Sequence, residues 1–200
     1  MSKKIPKTYV FIDASNLFYG GEKSLGWKID YRKLLGYLKG KYGIQKALYF
    51  GGVELHGFKY DYLENSTVPV EELEKYLSSA NIQGADRVRF YLKLKKFGYE
   101  LFLKPVKLYE QEDGTVRKKA NCDVEMAFHL MKEQNNFDRV LILSGDGDFL
   151  PVLKYMREIG KDVIVLSRGH RTAKEIRQFA GSNFRDFMRL ESVLRFDEEP

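Results

Sequence analysis

Residues 138–149 read D-R-V-L-I-L-S-G-D-G-D-F. Arg139 to Leu143 reads as a strand, the apolar run Val-Leu-Ile-Leu behind the charged pair Asp138-Arg139, the pattern of a strand covered on both faces. It stops at Ser144-Gly145-Asp146-Gly147-Asp148. The spacing then predicts a helix at once, with Phe149, Val152, Leu153 and Met156 on one face and Gly160 as its stop. Pro151 is tolerated because it falls in the first turn.

The same grammar extends outward. Tyr9-Val10-Phe11-Ile12 is a second short apolar run, and it also ends on an aspartate, Asp13. Ala47 to Phe50, closed by Gly51-Gly52, and Asp162 to Leu166 read as further strands. Asp30 caps a predicted helix carrying Tyr31, Leu34, Leu35 and Leu38, ending near Gly40. The stretch from Val53 to Thr67 reads as a loop, and Pro69 opens a helix with Leu73, Tyr76 and Leu77. Arg89 to Lys95 alternates in part and Tyr99 to Val106 looks like a strand, so an inserted hairpin or strand pair is expected at about 87–116. Asp113-Gly114 marks a turn. Asn121 caps a helix from Cys122 to about Gln134, with Val124, Ala127, Phe128 and Met131 as its apolar stripe. Thr172 to Phe179 is a helix and Phe184 to Leu190 a short final element. Strands alternating with helices predict one α/β domain over residues 1–200: a central, mostly parallel sheet flanked by helices, with the site outside the carboxyl ends of the strands.

The composition bounds the partners. Of 200 residues, 44% are hydrophobic and 31% charged, an ordinary globular balance that excludes intrinsic disorder. Cys122 is the single cysteine, which excludes an internal disulfide and a thiolate zinc site and fits a reducing, cytoplasmic compartment. The start, MSKKIPKTYVFID, lacks the pattern of a signal peptide, and no run of about 18 apolar residues predicts a membrane span. A net charge of +6 favours a polyanionic partner. Arg87, Arg89, Lys93, Lys95, Lys96, Lys104 and Lys107 interleave with Phe90, Tyr91, Phe97, Tyr99 and Phe102. Arg168, Arg171, Lys174 and Arg177 form a second group. Cation plus aromatic suits phosphate neutralisation and base stacking, and it equally suits a solvated face with its aromatics turned inward.

Two strand-end carboxylate sites carry the chemistry. Asp13 follows a buried strand, and Asp146 and Asp148 follow another. Each could also be a turn or cap residue. Carboxylates this close repel unless a cation or protons neutralise them, and hard oxygen ligands suit magnesium or manganese. Asp123, in a first helical turn, is favoured there by the macrodipole alone. Such a set fits phosphodiester hydrolysis, with Asn16 and Ser144 placed to orient substrate or water and Lys118 or Lys119 to hold a phosphate. Neither G-x-x-x-x-G-K-[ST] nor G-x-G-x-x-G occurs, nor a G-x-S-x-G nucleophile elbow. His56, His129 and His170 lack metal-ligand spacing.

V-F-I-D-A-S-N-L at 10–17, K-A-N-C-D-V at 119–124 and L-S-G-D-G-D-F at 143–149 resemble the NYN domain in its LabA-like bacterial branch, part of the PIN-like nuclease superfamily. The match runs in order from about residue 8 to about residue 190. The resemblance implies a three-layer, Rossmann-like fold and metal-dependent ribonuclease activity. It makes Asp13, Asp123, Asp146 and Asp148 the catalytic and metal-holding acids, with Asn16 and Ser144 as the matching polar residues and RNA as partner. The resemblance does not extend to the basic segment 87–107; the charge clusters themselves offer Lys93, Lys95, Lys96, Arg168 and Arg171 as nucleic-acid-binding candidates and Lys119 as a residue to orient substrate. This chain departs from the pattern at His129, where an acid is usual and Glu125 lies nearer the helix start, and at Ser182-Asn183-Phe184, where an acid usually precedes the phenylalanine. Those departures keep open a catalytically weak RNA-binding module. A strand ending in Asp13 and a late G-D-G-D also faintly resemble haloacid-dehalogenase phosphatases, but that chemistry needs an aspartate where this chain has Ser15. Surface aromatics leave room for a homodimer.

Overall fold

A computed structural model describes residues 5–17, 25–55, 61, 63–64, 67–78, 84–111 and 113–197. The strands are β1 (Thr8–Asp13), β2 (Ile44–Val53), β3 (Glu100–Pro105), β4 (Lys107–Glu110), β5 (Val116–Lys119), β6 (Arg139–Leu143), β7 (Asp162–Ser167) and β8 (Phe184–Asp186). The helices are α1 (Ala14–Leu17), α2 (Tyr31–Tyr42), α3 (Val70–Ser78), α4 (Ala85–Phe97), α5 (Asp123–Glu133), α6 (Leu150–Glu158), α7 (Lys174–Ala180) and α8 (Glu191–Leu194).

Six strands form a parallel sheet in the order β3-β2-β1-β6-β7-β8. The apolar runs explain it. Val10 and Ile12 of β1 point into one core and Tyr9 and Phe11 into the other, so both faces must be covered. On the first face lie Leu34 and Leu38 of α2, Leu73 of α3 and Tyr91 and Leu94 of α4. On the second lie Met126 and Leu130 of α5, Leu153 and Met156 of α6 and Ile176 of α7. The chain winds one way from β1 to β2 and β3, and the other way through β6, β7 and β8. The order therefore reverses between β1 and β6, where a crevice opens at the carboxyl edge.

Local signals hold in several places. Asp30 Oδ1 accepts from Arg32 N at 2.8 Å and Lys33 N at 3.0 Å. The helix runs past Gly40 to Tyr42, because Gly43, at φ 62°, takes the left-handed conformation that ends it. The turn at Asp113-Gly114 joins β4 to β5 in an antiparallel pair, so the hairpin lies at 107–119. The expected loop at Val53 to Thr67 lies partly outside the described residues.

Two expectations are corrected. Arg89 to Lys95 is helical, inside α4, and Tyr99 to Val106 supplies a strand of the main sheet rather than half of a hairpin. Val88, Tyr91 and Leu94 recur at helical spacing and all are buried, while the short alternation among them is accidental. On α5 the expected stripe faces outward: Val124 is 77% and Phe128 59% exposed, and Met126 and Leu130 are buried instead. That helix carries two apolar series, and packing selected the other one. Among the described residues no helix is long and apolar enough to cross a membrane.

Candidate metal centre

The crevice between β1 and β6 gathers acids from three parts of the chain. Asp13 is the last residue of β1 and is 5% exposed. Its Oδ1 accepts from Ser15 N (2.9 Å), Ser15 Oγ (2.6 Å) and Asn16 N (3.3 Å), which caps α1. Its Oδ2 accepts from Ser144 Oγ at 3.0 Å. Ser144, buried just beyond β6, also accepts from Asp146 N at 3.2 Å, so one hydroxyl ties the first aspartate to the aspartate pair. Asp146 Oδ1 accepts from Asp148 N at 3.0 Å and caps the single 3₁₀ turn Gly147–Phe149. Asp123 opens α5, and its N–H donates to Asn121 Oδ1 at 2.8 Å.

The glycines of S-G-D-G-D serve close approach, since neither takes a positive φ. A Cβ on Gly145 would meet Ser167 Oγ at 2.6 Å and Thr172 Cα at 3.0 Å. On Gly147 it would meet Glu175 Oε1 at 2.5 Å. The turn is thereby pressed against the end of β7 and the start of α7.

Asp123, Asp146 and Asp148 each offer a carboxylate oxygen, and the three oxygens lie within 4.8 Å of one another. Asp13 stands outside that triad but lines the same cleft as Asp123 and Asp146, a cavity of about 430 Å³. Burial, then the charges of Asp13, Asp146 and Asp148, push the Asp123 carboxyl above its ordinary range, against the Asn121 hydrogen bond that lowers it. Crowded carboxylates of this kind are the donor set that a hard divalent cation neutralises, so the residues fit a magnesium- or manganese-type ion. Cys122 is walled in beside them, its thiol pushed up to about 12 chiefly by burial.

Several sequence candidates lie elsewhere. Asn16 Oδ1 accepts from Ser167 Oγ at 3.4 Å, and Asn16 lines a separate small cavity with Arg168. Arg168 is buried there, and Arg171 is exposed. Lys93, Lys95 and Lys96 are exposed near the C-terminal end of α4, which starts at the carboxyl edge and runs away from it. The Lys119 backbone is in β5, and its side chain is outside the described residues. His129 packs on Phe102 with ring centroids 4.2 Å apart and is not among the residues lining the cleft. Glu125 is paired with Lys104 at 2.5 Å. Ser182 precedes β8 by two residues, at the opposite edge of this parallel sheet, so the missing acid there does not deplete the cleft. Sequence reasoning did not single out Glu54 or, as a cleft residue, Arg87; both line the cavity. No local signal marks them, because β2 and α4 bring them in through space.

The family model for the NYN domain matches residues 7–187. The chain belongs to the NYN domain family. It is thus a member of the PIN-like nuclease superfamily. It is 24% identical over 193 residues to the low amplitude and bright protein LabA of Synechococcus elongatus, covering 96% of this chain and 89% of that protein. In fold it is similar to a crystal structure of a protein of unknown function from Vibrio parahaemolyticus, with a TM-score of 0.63 at 18% identity over 94% of this chain and 96% of the other. The three-layer PIN-like architecture expected for an NYN domain is the one found.

Proposed function

We propose that this NYN domain is a metal-dependent ribonuclease that hydrolyses phosphodiesters at the carboxyl edge of its sheet. The observation that carries the reading is the convergence of Asp123, Asp146 and Asp148, whose carboxylate oxygens lie within 4.8 Å of one another, at a cleft that Asp123 and Asp146 share with Asp13. These three carboxylates would hold magnesium or manganese. When bound there, such an ion would supply Lewis acidity and positive charge toward a phosphate. The protein does the positioning. Ser144 holds Asp13 and the Asp146 backbone in one frame, and Asp13, fixed by Ser15 and Ser144, presents a rigid acceptor to an attacking water. RNA as substrate rests on the association of NYN domains with RNA and on the net charge of +6.

The test is cleavage of labelled single-stranded RNA with manganese or magnesium. Asp123→Asn and Asp146→Asn are expected to abolish it, as is EDTA. Undiminished cleavage in both variants would move the site elsewhere. One observation favours a second reading, a binding module without turnover: every oxygen of Asp13 already accepts hydrogen bonds from the protein. RNA binding that persists in EDTA, with no cleavage under either metal, would select it.

A further inference from the structure

The cleft has a wall that the acids do not account for. Gly51 and Gly52 of β2 lie in its floor, and beyond them stand Glu54 and Arg87. Among the described residues lining the cleft, Arg87 is the one cation. It lies in the first turn of α4, which starts at the carboxyl edge because β2 and β3 are parallel and α4 must return between them. The Tyr91 hydroxyl donates to Gly52 O at 2.6 Å and so pins this helix end to the cleft floor. The Arg87 guanidinium lies 5.8 Å from the Phe90 ring centroid and 5.4 Å from that of Tyr91, and its residue is half-buried. Arginine braced by aromatic faces keeps its planar fork oriented, which suits bidentate contact with phosphate. Asp123 comes from a helix on the other face of the sheet, so the cleft lies between a triad of acids and a fixed guanidinium.

A polyanion entering this cleft meets Asp13, Asp123, Asp146 and Glu54, and needs cations to do so. A divalent ion would serve one end and Arg87 the other. The cavity, about 430 Å³, is in the range of small-ligand sites (roughly 300–1,000 Å³) and admits a unit of nucleotide size. From this geometry, and resting on the ribonuclease reading, we infer that Arg87 is a substrate-positioning residue that binds the phosphate flanking the scissile one. The exposed lysines at the far end of α4 take no part in that contact.

The test uses the full chain and a fluorescein-labelled single-stranded RNA. Arg87→Gln is expected to lower kcat/KM by about 10- to 100-fold. In the cleavage-deficient Asp146→Asn background it weakens RNA binding and reduces the salt slope of log K by about 0.7, the loss of one single-strand phosphate contact. Arg87→Lys, which keeps charge without the fork, falls between. Arg89→Gln removes the same charge from the same helix, but Arg89 is exposed and pairs with Asp86 at 2.9 Å, so it leaves both readouts unchanged. RNAs carrying a neutral methylphosphonate at successive positions should show one position that weakens binding to the Arg87-containing protein and not to Arg87→Gln. If the Arg87→Gln protein does not fold, Arg87→Lys and the methylphosphonate scan on the Arg87-containing protein decide alone. Equal cleavage and equal salt slopes for Arg87→Gln and Arg89→Gln overturn the role of Arg87 and leave the ribonuclease intact. The same holds for a scan without a sensitive position. Wild-type protein that neither binds nor cleaves RNA overturns both.

Discussion

Replacing Ser144 by alanine isolates the contact that joins the two halves of the centre. The hydroxyl donates to Asp13 Oδ2 at 3.0 Å and accepts from Asp146 N at 3.2 Å, in a residue only 2% exposed. A hydrogen bond to a charged group contributes about 1.5–3 kcal/mol, and one between neutral groups about 1. The alanine leaves a carboxylate oxygen and a backbone N–H without these partners, although water from the adjoining cleft replaces part of the loss. The net cost expected is about 2 kcal/mol, which for a chain of this size lowers Tm by roughly 4–8 °C. Activity should fall more than stability, by about 10- to 100-fold, because groups that orient ligands act through the geometry of those ligands. The assay is urea unfolding of Ser144→Ala, Asp13→Asn and the double variant. A coupling of at least about 0.5 kcal/mol is expected, as for residues sharing a bond. A Ser144→Ala protein within about 0.3 kcal/mol of wild type, with additive double-variant energies, would falsify the bridging role.

Other perturbations test the surrounding physics. With divalent ions chelated, Asp123→Asn should raise the urea midpoint, and with the ion restored it should lack cleavage. The Asp123 carboxyl is raised by burial and by its acidic neighbours, so the native state binds more protons than the unfolded one. Stability therefore falls as pH rises from the ordinary carboxylate range through the raised folded value, a slope the variant should lack; equal midpoints and equal slopes would contradict the crowding. Adding manganese should raise the Tm of wild type in a concentration-dependent way, and much less for Asp123→Asn, as read by thermal shift. With its thiol at about 12, Cys122 should react with a maleimide at pH 8 roughly 10³-fold more slowly in the native protein than in urea. Gly145→Ala should cost about 1–3 kcal/mol in urea unfolding, because its Cβ would press on Ser167 and on the backbone of Thr172.

The sequence by itself determined the main strands and, at β1 and β6, where they stop, whereas β2 runs through Gly51-Gly52 to Val53. Continuous apolar runs ending in Asp13 and in S-G-D-G-D require a sheet covered on both faces, and strand–helix alternation makes it parallel. Cap and turn signals such as Asp30 and Asp113-Gly114 are also local, because a side chain bonding two or three residues away needs nothing distant. Tertiary structure decided what lay beyond that reach. The rotation of α5 was open between two apolar stripes until its inner face met β1 and β6. The helical state of 85–97 was hidden by a chance alternation. Ser144 and Asp13 meet across 131 residues, and Arg87 reaches the acids only because strand order puts β2 beside β1 and returns α4 over it. Periodicity is a property of neighbours along the chain, whereas a site is a property of strand order, which no local pattern encodes.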